Sequence, residues 1–428
     1  MPISPFTKSL LPDKIILMDK PKNKDHKQIG QALELFFTND IAPGAPFWLP
    51  KGMIIFKELE KYIRELTEKA GFLETSTPIM VKSQLFKESG HWSKFGEHNM
   101  YNLILSDEAD DTKLVSYTIK PMNCPESTII YRFRTRSYKE LPLRFSEIGR
   151  LHRREKSGEV NGLLRVRQLT MDDAHIYATE DQIFDEVSDI LDMMIDFYKK
   201  FGFEYEFRFA TRPDSRAGTD EMWNKAEKDL AGVLKKKEIK AGDKTGDGAF
   251  YGPKIDVHIK DSLDREWQLA TVQLDFHQPE AFRLVYIDDE GQEKRPVMIH
   301  RAIFGSFERF IGILTEHYQG SFPLWLSPIQ ATIIPIADRH AEQARKIKML
   351  IEQENIRTSL DDRNETLGSK IRDATLQKVP YIGIIGDKEV KSSEESIISV
   401  RARGGKDLGQ MKFSAFVNKL KEEIDKKI

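Results

Sequence analysis

The apolar pattern changes at Pro323-Leu-Trp-Leu-Ser-Pro328, and that change divides the chain. Beyond it the spacing predicts strands at 330–336, 357–361, 380–386 and 397–403, alternating with helices at 340–354, 367–377 and 413–427. An alternation of this kind over about 100 residues describes a small, separate mixed α/β unit. The whole chain has 428 residues, too many for one core at about 150 residues per domain. We read a short extension at 1–28, a large domain at 29–325 and a C-terminal domain at 326–428. Lys and Arg total 66 against 68 Asp and Glu, a net charge of −2, which excludes a polybasic coat or polyacidic tail but not local basic surfaces. The single cysteine, Cys124, rules out an internal disulfide framework and suits a reducing compartment. No apolar run approaches the roughly 18 residues of a membrane span, and Met1-Pro-Ile-Ser-Pro5 has no secretory pattern. These features describe a cytoplasmic, multi-domain chain with no membrane partner.

The large domain reads as an α+β arrangement. Helical spacing at 25–38 leads into the turn Ala42-Pro-Gly-Ala-Pro-Phe-Trp-Leu-Pro50, and Ile55, Leu59, Tyr62 and Leu66 form one stripe of a helix at 52–70. The β-rich stretch 72–80 contains Pro78, which removes a ladder donor and so belongs at an edge or interface. Strands are predicted at 115–120 and within 142–177, the latter interrupted by the polar loop Arg154–Asn161 and continuing through Arg165 and Arg167. A helix follows at 180–201, then β-rich runs at 249–259 and 267–276 and a helix from about Ala302 to Tyr318. The lysine-rich piece 235–247 is expected to be a solvated loop.

Three groups of residues carry potential chemistry. Cys124, His175 and His300 each end or border a β-rich run, and a thiolate with two imidazoles suits a three-ligand zinc site with an open position. Their spacings match no local zinc motif, so spacing alone favours a buried thiol and two packed imidazoles over a metal site. Arginines recur at 144, 150, 153, 154, 165, 167, 301 and 309, and planar guanidinium groups suit bidentate binding of phosphate. Gly305-Ser-Phe-Glu-Arg309 is expected to open a helix with Arg309 one turn in, where glycine allows close approach of a ligand. Neither a P-loop nor Gly-x-Gly-x-x-Gly is present, so ATP chemistry would need a different fold.

In this order the groups resemble the three signature motifs of class II aminoacyl-tRNA synthetases. The helix 52–70 with the Pro78 strand resembles motif 1, His152-Arg-Arg-Glu155 with the strand through Arg165 resembles motif 2, and Gly305–Arg309 resembles motif 3. Within that class, Gly90-His-Trp92, Lys120-Pro-Met-Asn-Cys-Pro125, Asp172-Asp-Ala-His175, Phe250-Tyr-Gly-Pro-Lys-Ile-Asp256, Thr271-Val-Gln-Leu-Asp-Phe276 and His300-Arg-Ala-Ile303 are similar to the threonyl-tRNA synthetases. The resemblance implies an antiparallel-sheet catalytic domain with helices and a mixed α/β anticodon-binding domain. It implies ATP-dependent activation of L-threonine and transfer to tRNA(Thr), by a homodimer. One zinc per chain would be held by Cys124, His175 and His300, with magnesium accompanying ATP. Arg153, Glu155, Arg165, Gln268 and Arg309 would bind ATP, and Asp173, Tyr251 and Gln273 the amino acid. Arg153 and Arg309, with Lys254 and His91, would serve the chemistry, His91 by assisting transfer to the terminal adenosine. Asn364, Glu389 and Arg401 would meet the anticodon.

The chain departs from the family pattern at Glu126-Ser127, where Gly-His is usual, and at Met171, where Gln is usual. Met1–Gln28 is too short for the N-terminal editing region of the common bacterial form, so the chain is expected to lack editing of its own, and a separate editing protein acting in trans stays open. A relative charging another small amino acid, such as serine or proline, is a second alternative, and the three metal-ligand positions discriminate because a hydroxyl-reading zinc is pointless for proline. The alternative from another class is a non-catalytic paralogue that binds RNA or a protein partner, for which intact Arg153, Arg309, Cys124, His175 and His300 would be unnecessary.

Overall fold

A computed structural model describes residues 24–107, 110, 112–261, 265–390 and 396–427. The proposed extension 1–28 therefore lies mostly outside the described residues. Among the described residues no helix is long and apolar enough to cross a membrane.

An eight-stranded sheet forms the large domain. Its order runs Ala241–Lys244, Tyr205–Ala210, Lys254–Lys260, Glu266–Asp275, Val297–Ser306, Gln168–Ala178, Leu143–His152, Leu73–Glu74. Pairing is antiparallel throughout except at the two edges, where Ala241–Lys244 and Leu73–Glu74 lie parallel to their neighbours. The helices Pro50–Lys69, Ile183–Phe201 and Phe307–His317 bury their apolar stripes in one core with the sheet, through Ile55, Leu59, Ile63, Val187, Leu191, Phe197, Phe310 and Leu314.

The C-terminal domain has a five-stranded sheet ordered Thr358–Leu360, Ala331–Pro335, Tyr381–Ile385, Ile397–Ala402, Lys406–Lys412, with its own cores. Arg357 joins it to the large domain by pairing with Glu58 and by donating to the carbonyls of Trp325, at 2.6 Å, and Ser327, at 3.1 Å.

Four expectations are corrected. The helix expected at 25–38 stops at Ala32, because Leu35 N–H turns back to Gly30 O and Glu34 takes φ +56; Phe36–Thr38 then pairs with Pro46–Trp48. Residues 302–306 continue the strand Val297–Ser306, so Gly305 sits at a strand end with φ +75 and the helix begins at Phe307. The near-continuous run of apolar residues there is buried on both faces, the mark of a central strand. Arg165 and Arg167 are not in a strand. They leave a tight turn in which Asn161 N–H donates to Arg165 O, while Leu163, Leu164 and Val166 are buried. In 235–247, Lys235 and Lys236 finish the helix Asp220–Lys236, and Ala241–Lys244 is an edge strand. The stretch 72–80 splits into Leu73–Glu74 and the start of Met80–Lys82; Pro78 lies between them, outside any ladder, and Leu73–Glu74 is an edge as expected.

Two glycines give a paired stability test. A Cβ on buried Gly52, inside the helix Pro50–Lys69, would lie 2.0 Å from the Leu35 carbonyl oxygen, whereas one on Gly232 would meet nothing within 4 Å. Gly52→Ala is expected to destabilise by about 1–3 kcal/mol through overpacking. Gly232→Ala, in an exposed helix interior, is expected to stabilise by up to about 1 kcal/mol. Thermal melting of both variants beside the parent checks the opposite signs.

Candidate active site

Strand register gathers the residues. Lys254 pairs with Gln273, Gln273 with His300, and His300 with His175, so one row across four strands carries four polar side chains. The next row holds Asp256, Thr271, Ala302 and Asp173. Cys124, at the start of the helix Cys124–Tyr131, completes a cavity of about 170 Å³ lined also by Asp173, His175, Tyr251, Gln273 and His300.

The ligating atoms of Cys124, His175 and His300 lie within 4.8 Å of one another, and all three residues are buried. Donors at about 2.0–2.3 Å from one tetrahedral ion sit roughly 3.5 Å apart, so the trio faces one point at a spacing that an ion would draw in. Burial, with the carboxylates of Glu126, Asp173 and Asp275, pushes the Cys124 thiol well above its usual range, so a thiolate here calls for a cation. Burial and the neighbouring His300 hold His175 well below its usual pKa, in the neutral form that ligates. His300 Nε2 meets Asp275 Oδ2 at 2.8 Å, leaving the other ring nitrogen for an ion. Asp275 is fixed in turn, accepting from His277 N, Gln278 N and Gln278 Nε2. A carboxylate behind a ligating imidazole orients the ring and raises its basicity. The donor set therefore fits a zinc-like ion.

The remaining residues of this cavity hold one another. Asn123 Nδ2 donates to Asp173 Oδ2 at 2.6 Å, and Tyr251 OH donates to Gln273 Oε1 at 2.5 Å. Lys254 Nζ pairs with Asp256 Oδ2 at 2.7 Å, while Gln268 Nε2 donates to Asp256 Oδ1 at 2.9 Å. His91 is buried beside the trio, with Nδ1 2.8 Å from Ser89 Oγ and Nε2 3.7 Å from Cys124 Sγ; burial lowers its pKa to about 3. Met171 lines the cavity where the usual amide would stand. Glu126 is buried, neither carboxylate oxygen has a hydrogen-bond partner, and burial raises its pKa to about 8. Ser127 Oγ lies 2.9 Å from Tyr177 OH.

A second cavity, of about 290 Å³, adjoins the first, and Arg153 lines both. Phe95, Glu155 and Arg165 are among its walls. Arg165 pairs with Glu155 at 2.7 Å and Glu159 at 2.8 Å, and Arg153 Nε donates to Pro121 O at 3.1 Å. Arg309 donates through Nε to Leu164 O at 2.9 Å and through Nη1 to Gln268 O at 3.3 Å. Burial and the nearby Arg153 and Arg165 lower its pKa, the signature of clustered guanidinium groups in want of an anion. In the C-terminal domain Asn364 is exposed in the loop after Thr358–Leu360 and Arg401 lies half-buried on Ile397–Ala402. Glu389 faces inward, accepting from Gly386 N, Ser399 Oγ and Gln410 Nε2.

Sequence reasoning assigned no role to Asp275, Asn123 or Asp256. Alternation in the strand Glu266–Asp275 places 271, 273 and 275 on one face, a signal by which Asp275 was available. Asn123 and Asp256 act on other side chains, which spacing does not reveal.

The class II tRNA synthetase core domain (G, H, P, S and T) matches residues 105–318, and the anticodon binding domain matches 330–423. A threonine–tRNA ligase of Carboxydothermus hydrogenoformans is 47% identical over 420 residues, 98% of this chain and 64% of that protein. One of Thermotoga maritima is 47% identical over 408 residues, covering 95% and 62% respectively. The chain thus spans about 64% of the length of curated relatives that it matches. A crystal structure described as the RNA binding domain of threonyl-tRNA synthetase from Cryptosporidium parvum superposes with a TM-score of 0.88 at 36% identity, covering 94% of this chain and 98% of that one. Through both domains and at this level of identity, the chain belongs to the threonyl-tRNA synthetase family of class II aminoacyl-tRNA synthetases.

Proposed function

We propose that the chain activates L-threonine with ATP and transfers it to tRNA(Thr). The observation that carries this reading is the pair of adjoining cavities that share Arg153, one ending in the Cys124–His175–His300 trio and the other bordered by Arg165. Cys124, His175 and His300 would hold one zinc ion, which supplies a Lewis acid that accepts the amine and hydroxyl of threonine together. Asp173, Tyr251 and Gln273 line the cavity that would take the amino acid, and Glu155 and Arg165 the one that would take the nucleotide. Gln268, which lines neither and donates to Asp256, would join the nucleotide side through the resemblance alone. The threonine carboxylate would attack the α-phosphorus and displace pyrophosphate, and magnesium accompanying ATP would supply further neutralising charge. Arg153 and Arg309 neutralise charge as it develops, a task of positioning and electrostatics. Lys254, held by Asp256, adds a further cation on the same sheet face. His91, neutral through burial, is the proposed aid to proton removal during transfer. Asn364 and Arg401 would present amide and guanidinium groups suited to unstacked bases of tRNA, whereas Glu389, buried and accepting from Gly386 N, Ser399 Oγ and Gln410 Nε2, would have to leave those donors to meet a base.

ATP–pyrophosphate exchange run in parallel with threonine, serine, valine and proline tests the reading. Threonine is expected to support exchange, and serine, which keeps the amine and hydroxyl, to be disfavoured by only about 10- to 200-fold for one missing methyl. Valine and proline should stay near background, and Cys124→Ala should lose threonine-dependent exchange while retaining a cooperative thermal transition. Exchange with proline but not threonine would overturn the assignment. Arg309→Ala is expected to lower the rate constant of exchange by about 10²–10³-fold, the effect of losing one preorganised charge contact; a change within a few-fold of the parent would contradict its role.

Homodimer formation is part of the proposal. Leu73, Ile79, Met80, Ile104 and Leu114 leave large apolar side chains exposed around the motif 1 strands, the kind of patch that marks an interface. Light scattering at micromolar concentration is expected to give twice the chain mass; a fully active monomer would refute it.

A further inference from the structure

His26 opens the first described helix, far in sequence from every motif, yet its imidazole is 1% exposed. Hydrogen-bond chemistry fixes its form. Leu163 N–H donates to Nε2 at 3.1 Å, so Nε2 carries the lone pair and the ring proton resides on Nδ1. Nδ1 meets Glu316 Oε1 at 2.7 Å, and the His26 backbone N–H donates to the same oxygen at 3.0 Å. The imidazole thus bridges the helix Phe307–His317, which carries Arg309, to the turn that follows the motif 2 loop.

That turn is shaped to receive it. Gly162 takes φ +51, and a Cβ there would lie 2.2 Å from His26 Nε2. Gly312, on the Arg309 helix, lets Leu163 and Leu164 pack closely: a Cβ at 312 would stand 3.1 Å from Leu163 Cβ and 3.2 Å from Leu164 Cδ2. The next carbonyl, Leu164 O, accepts from Arg309 Nε. The other side of Glu316 leads back to the same guanidinium. Glu316 Oε2 pairs with Arg265, whose guanidinium stacks over Trp267 at 5.4 Å, and Arg309 lies 5.9 Å from that ring. Asp261 holds both Arg265 Nε and Trp267 Nε1 at 2.7 Å.

We propose that His26 is a positioning residue for ATP binding: by bridging Leu163 N–H to Glu316 it sets the Leu164 carbonyl and the plane of Arg309 before the nucleotide arrives. The inference rests on the nucleotide site of the preceding subsection. None of its bonds touches the Cys124–His175–His300 cavity, so its effect should fall on ATP and spare threonine.

The test uses the full chain in threonine-dependent pyrophosphate exchange, with hydrogen exchange of the turn 161–165 as a second readout. His26→Ala is expected to raise the KM for ATP about tenfold or more while the KM for threonine stays within about twofold, because misplacing a binding group acts on the ligand it positions. The amide of Leu163 should exchange faster. His26→Gln, whose side-chain oxygen can again accept from Leu163 N–H, should recover most of the ATP KM and of the amide protection. Should His26→Ala fail to fold, His26→Asn, which keeps a donor for Glu316 but draws the acceptor back, carries the same test and should behave as a loss. An ATP KM unchanged in the folded variant, or an equal rise for ATP and threonine with no recovery in His26→Gln, overturns the proposal. A parent chain without threonine-dependent exchange instead overturns the functional reading, and this inference with it.

Discussion

Taking a thiol, two imidazoles and several carboxylates out of water is the constraint around which the eight-stranded sheet is arranged, because a buried charge without a partner is strongly unfavourable. Cys124, His175 and His300 meet at one point, and the direction of their shifts follows from burial: the thiol is driven towards its neutral form and His175 towards the free base. A divalent cation reverses that balance for the thiol and uses the lone pairs of the imidazoles. Two carboxylates of the polar face are held within the chain, Asp275 by three donors besides His300, and Asp173 by Asn123, while the Glu126 carboxyl and Thr271 Oγ1 are buried without a hydrogen-bond partner. The ligand-binding groups are therefore held on strands and helix ends before any ligand arrives, which is the condition for electrostatic preorganisation.

The opposite face of the same strands carries the supports. Asp172, next to Asp173 but pointing to the other side, accepts from the backbone of Ile303, at 2.7 Å, and Gly305, at 3.0 Å, where the register of Val297–Ser306 shifts. It lies 3.5 Å from the guanidinium of Arg301, which itself stacks over Phe72. On the cavity face, where Glu147 pairs in register with Asp173, Lys120 and Glu147 form a buried pair at 2.7 Å, shared with Thr77 beside the edge strand. Two consecutive aspartates thus do different work because a strand alternates its side chains: one shapes the entry to the Arg309 helix, and the other lines the cavity of Cys124, His175 and His300.

The long amphipathic helices Pro50–Lys69 and Ile183–Phe201 were legible in the sequence because their periodicity expresses burial on one face, and four of the five C-terminal strands because short apolar runs alternate with helical spacing. The helix Asp220–Lys236 and the strand Lys406–Lys412 were not. The boundary at Ser306 was not, because Val297–Phe304 is apolar on both faces and lacks the alternation that separates strand from helix. The alternation of Arg165 and Arg167 with Leu164 and Val166 predicts a strand, but a turn closed by Asn161 buries the two apolar residues with the same spacing. The trio of ligands, dispersed over 177 positions of sequence from Cys124 to His300, came from resemblance and not from spacing. Their partners, Asp275 above all, and the bridge made by His26 depend on register and tertiary packing, which a single sequence does not display.

The central claim is that a metal held by one sulfur and two nitrogens reads the amine and hydroxyl of the substrate. Zinc-edge X-ray absorption on the purified full chain tests it most directly, first alone and then with saturating threonine or valine. The account predicts one sulfur at about 2.3 Å and two imidazole nitrogens at about 2.0–2.1 Å in the protein alone. Threonine should add nitrogen and oxygen scatterers and raise the coordination number, whereas valine should leave the hydroxyl contact unmade. Protein without bound zinc that still activates threonine, or a zinc shell that threonine does not alter, would contradict it.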